Sequence, residues 1–133
     1  MRPSLNRNRL LTVRLDTASF RRVVNLQIEA IEKNVVMLMS TSSVVYFTLR
    51  RALERGEDEI VARVTNLQHS WLKHITTTRT DEETLERLKY IAQRLGMEGK
   101  VSLVASRLII AELQTTTLDD LIRQAKRELF PEA

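Results

Sequence analysis

An internal repeat limits the fold of this chain more than any other feature of its sequence. Residues 10–15, LLTVRL, alternate: Leu11, Val13 and Leu15 share one face, and Leu10, Thr12 and Arg14 share the other. That period of two predicts a half-buried strand. Asp16 and Thr17 are candidate helix caps. Phe20, Val23, Val24, Gln27, Ile28 and Ile31 then recur at helical spacing, which predicts an amphipathic helix over about 17–33 with that set inward. The cluster Ser40-Thr41-Ser42-Ser43 signals the start of another helix, carrying Val45, Leu49 and Leu53 inward and running to Gly56. At residue 74 the order begins again. HITTTRT is rich in β-branched residues and reads as a strand. Asp81 caps a helix with Leu85, Leu88, Ile91, Ala92 and Leu95 inward, and Gly96 stops it. Gly99, Lys100 and Ser102 introduce a further helix with Ala105, Ile109 and Leu113 inward.

The two copies keep a constant spacing. Arg14 and Arg79 are 65 apart (79 − 14), as are Asp16 and Asp81 (81 − 16), Phe20 and Leu85, and Val23 and Leu88. The second helices align at an offset of 60, pairing Val45 with Ala105, Leu49 with Ile109 and Leu53 with Leu113. The first copy therefore holds five extra residues (65 − 60), placed near Val35 to Met39. Residues 9–56 form the first unit and 73–114 the second. An amphipathic connecting helix is expected over 57–72, with Ile60, Val64, Leu67 and Trp71 on one stripe and Trp71 in the core. Residues 115–133 hold a short C-terminal helix that begins near Leu118 and ends before Pro131. The whole of 1–133 is expected to form a single compact domain.

Composition removes several classes of function. The chain has no cysteine, which excludes disulfides, thiolate metal sites and cysteine nucleophiles. His69 and His74 are five apart (74 − 69), a spacing that suits no helical metal pair. With three glycines there is no glycine-rich phosphate loop. Asp119-Asp120 and Asp81-Glu82-Glu83 fit helix starts better than an acid/base pair. No catalytic residues, metal or cofactor are expected, and the chain is not expected to be an enzyme. No apolar run approaches the roughly 20 residues that span a bilayer, so a cytoplasmic protein without membrane contact is expected. The net charge of +4 is modest, but Arg2, Arg7, Arg9 and Arg14 all precede the first acid, Asp16. Such a cluster attracts polyanions, although it is also compatible with a solvated basic tail.

LTVRLDTASFRRVV and TTRTDEETLERLKYIAQRLG, with STSSVVYFTLRRALE as a second helix, resemble the ribbon-helix-helix DNA-binding family of the MetJ and Arc type. The resemblance covers about residues 9–55 and 73–114. It implies a mainly α fold in which two ribbon-helix-helix units of one chain form an intramolecular two-stranded antiparallel ribbon with pseudo-two-fold symmetry, a monomeric pseudodimer. A single strand cannot satisfy its own backbone groups, so pairing the two strands is also what hydrogen bonding demands. The tandem, single-chain form is similar to the agrobacterial T-DNA transfer enhancers that bind the overdrive sequence. That likeness implies a partner in double-stranded DNA, an accessory role in conjugative or T-DNA transfer, and a relaxase or other DNA-transfer protein alongside. The divergence of LLTVRL from ITTTRT implies an asymmetric target.

A two-stranded ribbon fits the major groove, where base edges are distinguishable. Its outward residues would be Leu10, Thr12 and Arg14 with Ile75, Thr77 and Arg79. Thr12, Arg14, Thr77 and Arg79 are the candidate base contacts: arginine can donate twice to guanine, and threonine can bond a base or pack on a thymine methyl. Arg7, Arg9, Ser42, Ser43, Lys100 and Ser102 are the candidate phosphate contacts, from basic side chains and helix starts. The same serines serve as helix caps in any case. Thr76, Thr78 and Thr80 fall on the inward face of the second strand, where apolar residues are expected. This leaves its register open, since a slip of one residue would exchange its faces. The alternative readings are a transcriptional repressor, or an antitoxin whose Leu118–Phe130 segment either wraps a partner or packs on the core.

Overall fold

A computed structural model describes residues 7–131. It is mainly helical, with one two-stranded antiparallel sheet. Strand β1 (Arg9–Leu15) leads into helix α1 (Thr17–Glu32), and α2 (Thr41–Leu53) and α3 (Glu57–Asn66) follow. Strand β2 (His74–Thr80) then leads into α4 (Glu82–Arg94), α5 (Val101–Leu113) and α6 (Leu118–Leu129).

Each boundary has a local cause. Asp16 caps α1 by accepting from the Ser19 amide, and Asp81 caps α4 in the same way from Thr84. Ser40 is the member of its cluster that caps α2, accepting from the Ser43 amide. Thr117 and Asp120 form a reciprocal capping box at the start of α6. Helices α1 and α4 end alike. A residue with positive φ, Asn34 in one and Gly96 in the other, lets the next amide bond back to the carbonyl five residues earlier, Val35 to Ala30 and Met97 to Ala92. The five extra residues of the first copy are divided. Helix α1 is three residues longer than α4 (16 − 13), and the rest lie in the loop before α2, which holds a 3-10 turn at Val36–Leu38.

The strands pair with Thr12 opposite Thr77, Leu10 opposite Arg79 and Arg14 opposite Ile75. Under the offset of 65 this register maps onto itself, because Leu10 corresponds to Ile75, Thr12 to Thr77 and Arg14 to Arg79. Packing follows the same exchange: α2 covers β2, α5 covers β1, and α2 and α5 pack on each other. Leu49 and Ile109 are fully buried at that centre.

The expected connecting helix is corrected in two ways. It stops at Asn66, where Leu67 turns to an extended backbone, so it does not reach residue 72. It is also part of the repeat. Helix α3 packs on α5 as α6 packs on α2. Its buried residues Ile60 and Val64 match Leu121 and Ala125 at an offset of 61 (121 − 60, 125 − 64). Each copy is thus a strand and three helices. Leu118–Phe130 packs on the core through Leu118, Leu121 and Ala125.

Two further expectations fail. Helix α1 buries Ser19, Val23, Leu26 and Ala30, and leaves Ile28 and Ile31 exposed. Trp71 is not in the core; it is 81% exposed.

Polar groups also join the copies. Glu112 of α5 is buried between three guanidinium groups, with Arg51 Nε at 3.0 Å, Arg55 Nε at 2.9 Å and Arg63 Nη1 at 3.3 Å. These arginines belong to α2, its C-terminal turn and α3, so one carboxylate ties the first copy to the second. Asp81 links the copies too, accepting from the Tyr46 hydroxyl at 3.2 Å. Its partial burial opposes ionisation, but the hydrogen bonds from Thr84, the Arg50 charge and the Tyr46 hydroxyl outweigh it and hold the carboxyl below its ordinary pKa. A depressed carboxyl stabilises the fold fully above its unfolded pKa, and the contribution is lost as pH falls through the folded value. Asn keeps the cap but not the charge. In urea titrations, Asp81→Asn is therefore expected to be less stable than wild type at neutral pH, with the gap narrowing below about pH 4.

Candidate nucleic-acid interface

The outer face of the ribbon presents Leu10, Thr12, Arg14, Ile75, Thr77 and Arg79, all exposed. The inner face buries Leu11, Val13 and Leu15 from β1 with Thr78 and Thr80 from β2, and Thr76 is half-buried. Threonines therefore occupy the inner face of β2 without a register slip. The reason for Thr78 lies on α2, where its hydroxyl donates to the Ser42 carbonyl at 2.7 Å and lies 3.0 Å from the Ser42 hydroxyl.

At the free edge of each strand, serines from a helix of the other copy meet the backbone. On β2, the Arg79 amide donates to Ser42 Oγ at 3.3 Å. On β1, the Arg14 amide donates to Ser106 Oγ at 2.9 Å, and the Ser102 hydroxyl donates to the Thr12 carbonyl. Unpaired strand edges invite foreign strands, and these serines occupy one amide of β2 and one amide and one carbonyl of β1. They also fix the backbone of the two arginine positions, so the Arg14 and Arg79 side chains stand on a rigid base. Sequence reasoning missed Ser106. It is buried within α5, and its partner amide lies 92 residues away.

Among the described residues, the guanidinium groups of Arg14 and Arg79 have no acidic partner. Across the ribbon centre the hydroxyls of Thr12 and Thr77 lie 3.4 Å apart. Two arginines of opposite strands thus flank a pair of hydroxyls, with Leu10 and Ile75 beside them. The arrangement offers charged donors, neutral donor-acceptors and apolar contacts on one exposed strip.

The candidate phosphate contacts are less uniform. Arg9 pairs with Glu82. The Arg7 guanidinium lies over the Tyr46 ring, 4.5 Å from its centre. Ser42 and Ser102 are engaged with the ribbon edges as described, and the Ser43 hydroxyl and amide both meet Ser40. Lys100 is exposed at the start of α5, whose first turn has no side-chain cap. The backbone N–H groups of that turn, beside Lys100, suit an anion. Arg2 lies outside the described residues.

The histidines are occupied. His69 lies 2.9 Å from Arg107 Nη1, and His74 stacks on Phe20 with ring centres 4.6 Å apart. Among the described residues there is no group of three or more potential metal ligands, and no helix is long and apolar enough to cross a membrane. No protein-family model, no characterised protein and no solved structure matches this chain.

Proposed function

We propose that this chain binds double-stranded DNA, with two ribbon-helix-helix units of one polypeptide placing the outer face of β1 and β2 in the major groove. The observation that carries the reading is the exposed outer row, in which Arg14 and Arg79 have no acidic partner among the described residues and their backbone is held from behind. Charged residues at structural positions in a small domain are usually neutralised, as Glu112 and its arginines are here. Arg14, Arg79, Thr12 and Thr77 are the base-contacting candidates. Lys100 and the first turn of α5 carry the phosphate role best.

Within this reading the protein acts as an accessory factor of DNA transfer beside a relaxase. The alternative is a repressor of the same fold. Packing of α6 on the core weighs against an antitoxin tail that wraps a partner. Duplexes selected from a random pool discriminate between the first two. Enrichment of sequence found beside a transfer border supports the accessory role, and enrichment of sequence upstream of the protein's own gene supports the repressor.

The reading is tested by titrating a selected duplex at several salt concentrations. Affinity should fall with salt, the slope of log affinity against log salt concentration being about −0.9 for each phosphate neutralised. Absence of binding to any duplex at low salt would remove the reading.

A further inference from the structure

We infer that Trp71 and Lys73 extend the DNA-contacting row at one end of the ribbon only, with the indole packing on the sugar-phosphate backbone that flanks the ribbon's site and Lys73 meeting a phosphate. The inference rests on the reading of the ribbon as a DNA-binding surface. Its starting point is a continuity of exposure. From Trp71 to Thr80 exposure alternates without a break: Trp71, Lys73, Ile75, Thr77 and Arg79 are exposed, and Leu72, His74, Thr76, Thr78 and Thr80 are half-buried or buried. The alternating exposure of β2 therefore begins before the paired strand does. Trp71 and Lys73 thus continue the alternation that exposes Arg79, and a chain extended at about 3.3 Å per residue would carry Trp71 roughly 13 Å beyond Ile75.

The segment that carries them is held in place. Leu67 and Leu72 pack against the core. Arg107 donates to the carbonyls of Val64 and Leu67 and reaches His69. A tryptophan 81% exposed on a pinned backbone keeps a large apolar surface in water at a fixed position. Rigid, exposed aromatic groups of this kind are enriched where a partner covers them. The partner indicated here is DNA, because Lys73 adds a positive charge and the row is continuous with Arg79 and Arg14.

The other end of the ribbon differs. Under the offset of 65 the counterparts of Trp71 and Lys73 are Asn6 and Asn8 (71 − 65, 73 − 65). Trp71 and Lys73 thus have no aromatic or charged counterpart under the repeat, and the added contact belongs to the Trp71 end.

Trp71 is the one tryptophan of the chain, so intrinsic emission reports on it alone. Emission is followed while a labelled, selected duplex is added, and binding is measured independently by anisotropy. Emission is expected to change in proportion to the bound fraction. Trp71→Ala is expected to bind roughly tenfold more weakly, and to lose hydroxyl-radical protection at one end of the footprint, while Trp71→Phe keeps most of the affinity. The side chain is exposed, so the variants leave no cavity. Wild type that binds duplex with unchanged emission, or Trp71→Ala that binds within twofold of wild type, overturns the inference and leaves the ribbon reading standing. Wild type that binds no duplex overturns both.

Discussion

Replacing Arg14 and Arg79 together by alanine is expected to weaken binding of a selected duplex by two to four orders of magnitude, roughly 3–5 kcal/mol, as measured by anisotropy of the labelled duplex. The size follows from the chemistry. A bidentate arginine–guanine contact discriminates by about 1–3 kcal/mol, and two are lost. The loss should be sequence-dependent. Against random duplex, where only phosphates count, the variant should fall by far less. Thermal stability should stay within about 0.5 kcal/mol of wild type, because both side chains are exposed and unpaired among the described residues. Each single variant should cost about half the double, and the two need not be equal. Leu10 stands opposite Arg79 and Ile75 stands opposite Arg14, so the half-sites differ in their neighbours.

Leu49→Ala and Ile109→Ala are each expected to lower unfolding stability by about 2–5 kcal/mol in urea titrations. Both side chains are fully buried on α2 and α5, the helices that join the two copies. Truncation removes the transfer energy of the lost methyl groups and leaves a cavity that two tightly packed helices cannot close. The predicted signature is a single cooperative transition at a lower urea midpoint with an unchanged slope, because neither copy has a core of its own. Helix α2 covers the strand of the other copy, and so does α5. Two separable transitions would contradict this interlocked arrangement.

The repeat and the two faces of β1 were legible in the sequence because they depend on short-range periodicity, whereas the register of β2 stayed open. Arg14 and Arg79 fall at the same point in two alternating segments, and their exposure follows from that alternation. What was not legible depends on partners distant in the chain. Helix α1 carries two interleaved apolar stripes, Val23–Leu26–Ala30 and Val24–Ile28–Ile31. Spacing cannot choose between them; the packing of α2 and α5 does. The inward Thr78 looked misplaced until the Ser42 carbonyl, 36 residues away, supplied its acceptor. Both third helices were legible, but their equivalence was not, because Ile60/Leu121 and Val64/Ala125 share only apolar character and their offset of 61 differs from both others. Trp71 continued the helical stripe of α3 on paper. The chain instead leaves the helix at Leu67, and Arg107 takes the carbonyls released there.

The central claim is that the outer face of β1 and β2 is the surface that meets DNA. Backbone amide chemical-shift mapping of the labelled protein during titration with a selected duplex tests it most directly. The account predicts that the largest shifts fall on Leu10 to Arg14 and Ile75 to Arg79, with a second group at the start of α5, and that the amides of α6 barely move. Shifts concentrated on α1 or α6, with the ribbon amides unmoved while the duplex is bound, would contradict it.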